Sequence, residues 1–98
     1  KQVRQGDVPV LVDVWAPWCG PCRMMAPAFE AAAAELEPAV RLVKLNTDAE
    51  PEMAARLGIR GIPTMILFSG GREVARVSGA MAASQIAAWA RGRLEAVA

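Results

Sequence analysis

The chain contains two cysteines and no histidine, and both cysteines lie in one tetrapeptide, Cys19-Gly20-Pro21-Cys22. A dithiol at this spacing exchanges electrons with other disulfides: one thiolate attacks, the second displaces the partner, and the pair is left oxidised. With no imidazole available, Ser-His and Cys-His nucleophile pairs are excluded. Two thiolates cannot close a tetrahedral zinc site within one chain, so no metal is expected in a monomer. A dimer sharing four thiolates around zinc or an iron–sulfur cluster stays open as an alternative. Two plainer readings compete with redox duty. A stapling disulfide across so short a loop would remove little loop-closure entropy, and staple-dependent secreted domains normally carry several. A pair of inert core cysteines fits poorly with Gly20 and Pro21 between them and with Trp15 and Trp18 just before.

The dithiol must be held by the elements around it. Val10-Leu11-Val12-Asp13-Val14-Trp15 reads as a strand covered on both faces and central in a parallel sheet. From Pro21 the period changes. Met25, Phe29, Ala32, Ala33 and Leu36 recur at three and four, which predicts an amphipathic helix ending near Glu37-Pro38. Residues 40–45 read as a second strand, and residues 50–57 as a short helix signalled by Asp48 and Pro51 and closed by Gly58. Residues 64–68 and 73–77, joined by Ser69-Gly70-Gly71-Arg72, read as an antiparallel hairpin. Ile86, Trp89, Ala90, Leu94 and Val97 mark a C-terminal helix beginning between residues 81 and 84. This order predicts an α/β fold, a three-layer α/β/α sandwich with a mixed central sheet.

A strand-to-helix junction at the dithiol puts Cys19 at the open end of the helix, exposed, with Cys22 one turn inside. Unpaired N–H groups and the helix dipole favour a thiolate on Cys19, making it the nucleophile, while Cys22 is placed to resolve a mixed disulfide. Gly20 lets the chain turn, and Pro21 sits where a missing N–H costs nothing. Asp13 has two readings: a desolvated carboxyl with a raised pKa, able to accept a proton, or an acid at a water-facing strand end. Lys44 either pairs with Asp13 or is a solvated strand residue. Pro27 should bend its helix, and Trp15 and Trp89 read as core residues. Nothing local marks Pro63 as cis, since only about 5–6% of such bonds are.

At 98 residues the chain suits one domain, residues 1–98, and 54% hydrophobic content is enough to order it. A net charge of +1 with no basic stripe argues against nucleic acid. No apolar run approaches the ~18–20 residues that cross a bilayer, and no leader precedes the first strand. The expectation is a cytoplasmic monomer.

The segment Trp15-Ala16-Pro17-Trp18-Cys19-Gly20-Pro21-Cys22-Arg23 resembles the active site of the thioredoxin family, and the likeness spans nearly the whole chain. The resemblance matches Asp13 to the family's buried aspartate, Pro27 to its helix-kinking proline and Lys44 to the lysine near that aspartate. It also matches Ile62-Pro63-Thr64 to the cis-proline loop and Gly79 to a groove glycine. It implies a protein disulfide reductase working through Cys19 and Cys22, with Asp13 taking the Cys22 proton and Lys44 beside it. Trp18, Gly20, Pro21, Ile62, Pro63, Gly79 and Ala80 would form the substrate surface. No cofactor would be bound; electrons would come from NADPH through thioredoxin reductase, and the other partners would be disulfide-containing proteins. Gly-Pro between the cysteines, with no His, points to the reducing members, because less thiolate stabilisation makes a better reductant. A non-catalytic binding subunit of the same fold is the alternative.

Relatives of this kind carry one more strand before residue 10, so the chain reads as truncated, with residues 1–5 as the tail of a helix and residues 40–45 as an exposed edge strand. Ala16-Pro17 and Asn46-Thr47-Asp48-Ala49-Glu50 resemble the bacterial subclass that bears an N-terminal zinc module.

Overall fold

The computed structural model describes residues 8–97; the expected helix tail at residues 1–5 lies outside them. The elements run β1 (Val10–Trp15), α1 (Gly20–Leu36), β2 (Arg41–Asn46), α2 (Pro51–Arg56), β3 (Thr64–Ser69), β4 (Arg72–Ser78) and α3 (Ala83–Ala96). Boundaries differ from the sequence reading by one or two residues, the usual fraying of element ends.

The four strands form one mixed sheet in the order β2-β1-β3-β4. β1 is central, as its apolar run, interrupted only by Asp13, requires, but it is parallel only to β2 and antiparallel to β3. This corrects the parallel-sheet expectation. The run reflects cover on both faces. Strand direction follows from the connections: α1 carries the chain over to a parallel β2, whereas α2 and its loop return it to enter β3 the other way. β3 and β4 form the expected antiparallel hairpin, with a register shift between Leu67 and Phe68. β2 is an edge among the described residues, with exposed Arg41 and Lys44 on it, and charge there discourages edge pairing.

Alternation along β1 and β3 divides the core in two. Leu11, Met65 and Leu67 face Met25, Phe29, Ala32 and Leu36 of α1 and Ile86, Ala87 and Ala90 of α3. Val12, Val14 and Ile66 face the other way, against Leu57, Ile59, Ile62 and other half-buried apolar groups. The three layers are therefore unequal, since α2 has six residues and buries none. Burying a side chain such as Phe29 contributes about 2–3 kcal/mol, so most apolar stabilisation lies on the α1/α3 side. Trp15 and Trp89, expected in the core, are only half-buried at its margins.

α1 runs from Gly20 to Leu36 through Pro27. Pro27 does not end it, because packing of Met25, Phe29 and Ala32 on one side of the helix outweighs a single missing hydrogen bond. The Glu37-Pro38 and Ile62-Pro63 peptides are both cis; the second was implied by resemblance, the first by nothing in the sequence.

Candidate active site

β1 delivers the chain to buried Ala16, and a tight turn closed by Cys19 N–H donating to the Ala16 carbonyl at 3.1 Å leads into α1. Cys19 is the N-cap residue of α1. Its Sγ accepts the Cys22 N–H at 3.2 Å, satisfying one of the helix's orphan donors. The same N–H and the positive end of the helix would stabilise a thiolate on Cys19 in the reduced state. The two sulfurs are joined in a disulfide.

Cys19 was expected to be exposed, yet it is only 5% exposed and Cys22 2%. In the disulfide, Cys19 Sγ turns inward beside Ala16, Trp15 and Ile62, and lies 3.8 Å from the Ile62 carbonyl oxygen. The cis-proline loop thus covers the sulfur that sequence spacing alone would leave open.

Asp13 is 1% exposed, and its Oδ1 has no hydrogen-bond partner. It shares a sheet face with Leu11, the face that α1 covers. Burial raises its pKa from 3.8 to about 6, against the opposing pull of the Lys44 charge. The water-facing alternative is therefore excluded. Lys44 stands opposite Asp13 in the β1–β2 register. No ion pair joins the two among the described residues. The ammonium instead sits over the Trp15 ring, 4.7 Å from its centroid, where the indole face attracts it. Lys44 acts on Asp13 by its field, from an exposed position.

The seven residues expected to form one docking surface divide into three sets. Trp18, which is 67% exposed, and Ile62 line a groove of about 280 Å³. Pro63 is buried and does not line it, and its carbonyl accepts the Gly79 N–H at 2.9 Å; Gly79 adopts φ +101°, open to glycine but costly for other residues. Gly20, Pro21, Gly79 and Ala80 are exposed outside that groove.

The far wall of the groove escaped the sequence reading: Thr47, Ala54, Ala55, Ile59, Arg60 and Gly61. So did Asp48, whose Oδ1 accepts the Trp18 Nε1–H at 3.2 Å and so orients the indole. Asp48 is itself placed by Asn46 Oδ1, which accepts the Asp48 N–H at 2.8 Å. The Gly58-Ile59-Arg60-Gly61 stretch leading to Pro63 was the available signal, as two glycines beside a loop of interest mark chain that must bend. Thr64 Oγ1 donates to the Gly61 carbonyl at 2.6 Å, so Ser78 must be the donor in its 3.1 Å contact with Thr64. Among the described residues no cluster of three or more His, Cys, Asp or Glu could hold a metal ion, and no helix is long and apolar enough to cross a membrane.

Comparison with known proteins bears on this geometry. The Thioredoxin family profile matches residues 1–92. Thioredoxin 1 of Nostoc sp. is 52% identical over 81 residues, covering 83% of this chain and 76% of that protein. Thioredoxin of Alicyclobacillus acidocaldarius is 51% identical over 88 residues, with 90% and 84% covered. The crystal structure of Malassezia sympodialis thioredoxin, Mala s 13, superposes with a TM-score of 0.82 at 35% identity, covering 90% of this chain and 79% of that one. The family match over most of the chain, relatives near 50% identity and the shared fold together show that the chain belongs to the thioredoxin family of thiol-disulfide oxidoreductases.

Proposed function

We propose that the chain works as a reductant of protein disulfides, with Cys19 as nucleophile, Cys22 as resolving thiol and Asp13 as proton acceptor. The observation that carries this reading is the donation from Cys22 N–H to Cys19 Sγ at the start of α1, which favours negative charge on Cys19 and on no other sulfur. The Cys19 thiolate attacks one sulfur of a substrate disulfide; a mixed disulfide forms and the other substrate sulfur leaves as a thiolate. Cys22 then gives its proton to Asp13, directly or through water, and attacks Cys19 Sγ. The second substrate thiolate leaves, and the chain is left with the Cys19–Cys22 disulfide. Two electrons have passed to the substrate. Asp13 suits its part because its pKa near 6 keeps it a carboxylate at neutral pH, yet burial and an unpartnered Oδ1 make a proton welcome. Lys44 tunes that pKa downward from the strand edge.

Return of the oxidised chain to the dithiol needs a two-electron donor. Kinship with thioredoxins supports NADPH through thioredoxin reductase as that donor, and the reading places the chain as a monomer in the cytoplasm. The subclass reading of Ala16-Pro17 and Asn46-Thr47-Asp48-Ala49-Glu50 is tested by whether the full-length protein holds two further Cys-x-x-Cys pairs binding zinc. The central test is insulin reduction by dithiothreitol followed by turbidity. The wild type should accelerate it and Cys19→Ser should not. Equal acceleration by both would overturn the mechanism, and acceleration by neither would favour a binding subunit of the same fold.

A further inference from the structure

The wall of the groove opposite Trp18 is built on the shortest helix among the described residues. α2 buries no residue and ends at Leu57, after which Gly58 turns with φ +68° and the chain runs irregularly to Ile62. Such a strip needs tethers. At its far end, Thr64 Oγ1 holds the Gly61 carbonyl and Gly79 N–H holds that of Pro63. At its near end, the side-chain bond to the sheet comes from β4: Arg76 Nη2 donates to the Leu57 carbonyl at 2.8 Å, across 19 residues of sequence.

Arg76 is aimed by its own strand. It pairs in register with Ile66, whose side chain lies on the α2 face of the sheet. In a regular strand Glu73, three residues earlier, would point to the opposite face. The bulge between Leu67 and Phe68 changes this. Phe68 pairs with Glu73 while Leu67 pairs with Ala75, leaving Val74 as the extra residue, so Glu73 and Arg76 share the α2 face. Glu73 then grips the guanidinium on two sides, Nε to Oε2 at 2.6 Å and Nη2 to Oε1 at 2.7 Å. This fork restrains Arg76 in the rotamer that reaches Leu57, cutting the entropy cost of the tether. The Leu57 carbonyl belongs to the helix's C-terminal end, where acceptors lack backbone partners.

We propose that Arg76, held by Glu73, is a positioning residue for substrate docking: it fixes the end of α2 and so the wall formed by Ala54, Ala55, Ile59 and Arg60 that faces Trp18. Arg76 is not among the residues lining the groove, and its hydrogen bonds go to Glu73 and Leu57 rather than to the dithiol. Its effect therefore falls on the capture of extended protein segments and not on the exchange step itself. The inference rests on the reductase reading above.

The test compares reduced wild type, Arg76→Met, Arg76→Lys and Glu73→Gln with two oxidants: insulin, which presents chain on both sides of its disulfide, and the small disulfide 5,5′-dithiobis(2-nitrobenzoic acid). Arg76→Met should raise KM for insulin roughly fivefold, the loss expected for about one net hydrogen bond, with kcat retained. Its rate with the small disulfide should stay within about twofold of wild type, since one hydrogen bond remote from the sulfurs carries no more. Arg76→Lys should recover part of the affinity through a single donor to Leu57, and Glu73→Gln should fall between. Amide exchange at Ile59, Arg60 and Gly61 should quicken in Arg76→Met. An unchanged KM in an active, folded variant overturns the proposal, as does an equal fall with both oxidants. Failure of the wild type with both oxidants would instead overturn the reductase reading.

Discussion

The two faces of the sheet are held by different physics. On the α1/α3 face, Leu11, Met65 and Leu67 meet two long helices in a continuous apolar core, and a buried polar residue on it, Asp13, is left without a partner at Oδ1. On the α2 face, a buried apolar cluster of Val12, Val14 and Ile66 is covered by half-buried side chains, a six-residue helix and the Arg76–Leu57 hydrogen bond. The first face is rigid because close packing has no slack, and it can therefore keep a carboxyl desolvated. The second derives its geometry from thinner apolar cover and a few directional polar contacts, the features of the less stable parts of a fold. In the proposed mechanism, proton transfer uses the packed face and substrate docking uses the thinner one.

Three substitutions can break or sharpen this contrast. The largest effect is expected on the packed face, where Phe29→Ala should cost about 3–5 kcal/mol, read from urea unfolding; a loss under about 1 kcal/mol would show that the face is not close-packed.

Asp13→Asn should act in the opposite direction. The rise from 3.8 to about 6 means that the protonated form is the better fit to the fold. No penalty exists below about pH 4; it grows as pH rises to about 6 and then stays level. Relief in the variant should thus stabilise the protein by about 2–3 kcal/mol at pH 8 and by nothing at pH 4. Disulfide reduction should slow at the same time. A pH-independent gain would mean that Asp13 is not charged in the fold, and an unchanged reduction rate from pH 6 to 9 would remove it from proton transfer.

Leu57→Ala, on the thinner face, should cost only about 1 kcal/mol, because the side chain is half-buried. Its KM for insulin should rise more than its stability falls. A stability loss as large as that of Phe29→Ala would erase the distinction between the faces.

Much of the molecule was legible beforehand because its signals are local. The run Val10 to Trp15, the change of period at Pro21 and the glycine turn at residues 70–71 each report on a few adjacent residues, and each element formed within a residue or two of its place. The roles expected of Cys19 and Cys22 rested on helix-end electrostatics, also a local property, and the Cys22 N–H does point at Cys19 Sγ. What was illegible depends on residues distant in sequence. Cys19 is covered by Ile62, 43 residues on. Trp18 is oriented by Asp48, 30 residues on. Lys44 rests on Trp15 and not against the Asp13 carboxylate, because a long flexible stem selects the site that leaves its ammonium solvated.

The sequence by itself determined that this protein has one dithiol, no imidazole, a strand feeding that dithiol to a helix, and a carboxyl in the strand's apolar run. Tertiary structure alone decided which sheet face is thick, that the carboxyl is sealed there without a partner, and that a bulge brings Glu73 and Arg76 onto the side of the groove wall. The division has one physical cause. Propensity, capping and periodicity act over a turn or a strand, whereas desolvation, register and side-chain reach exist only once distant segments share the same few ångströms.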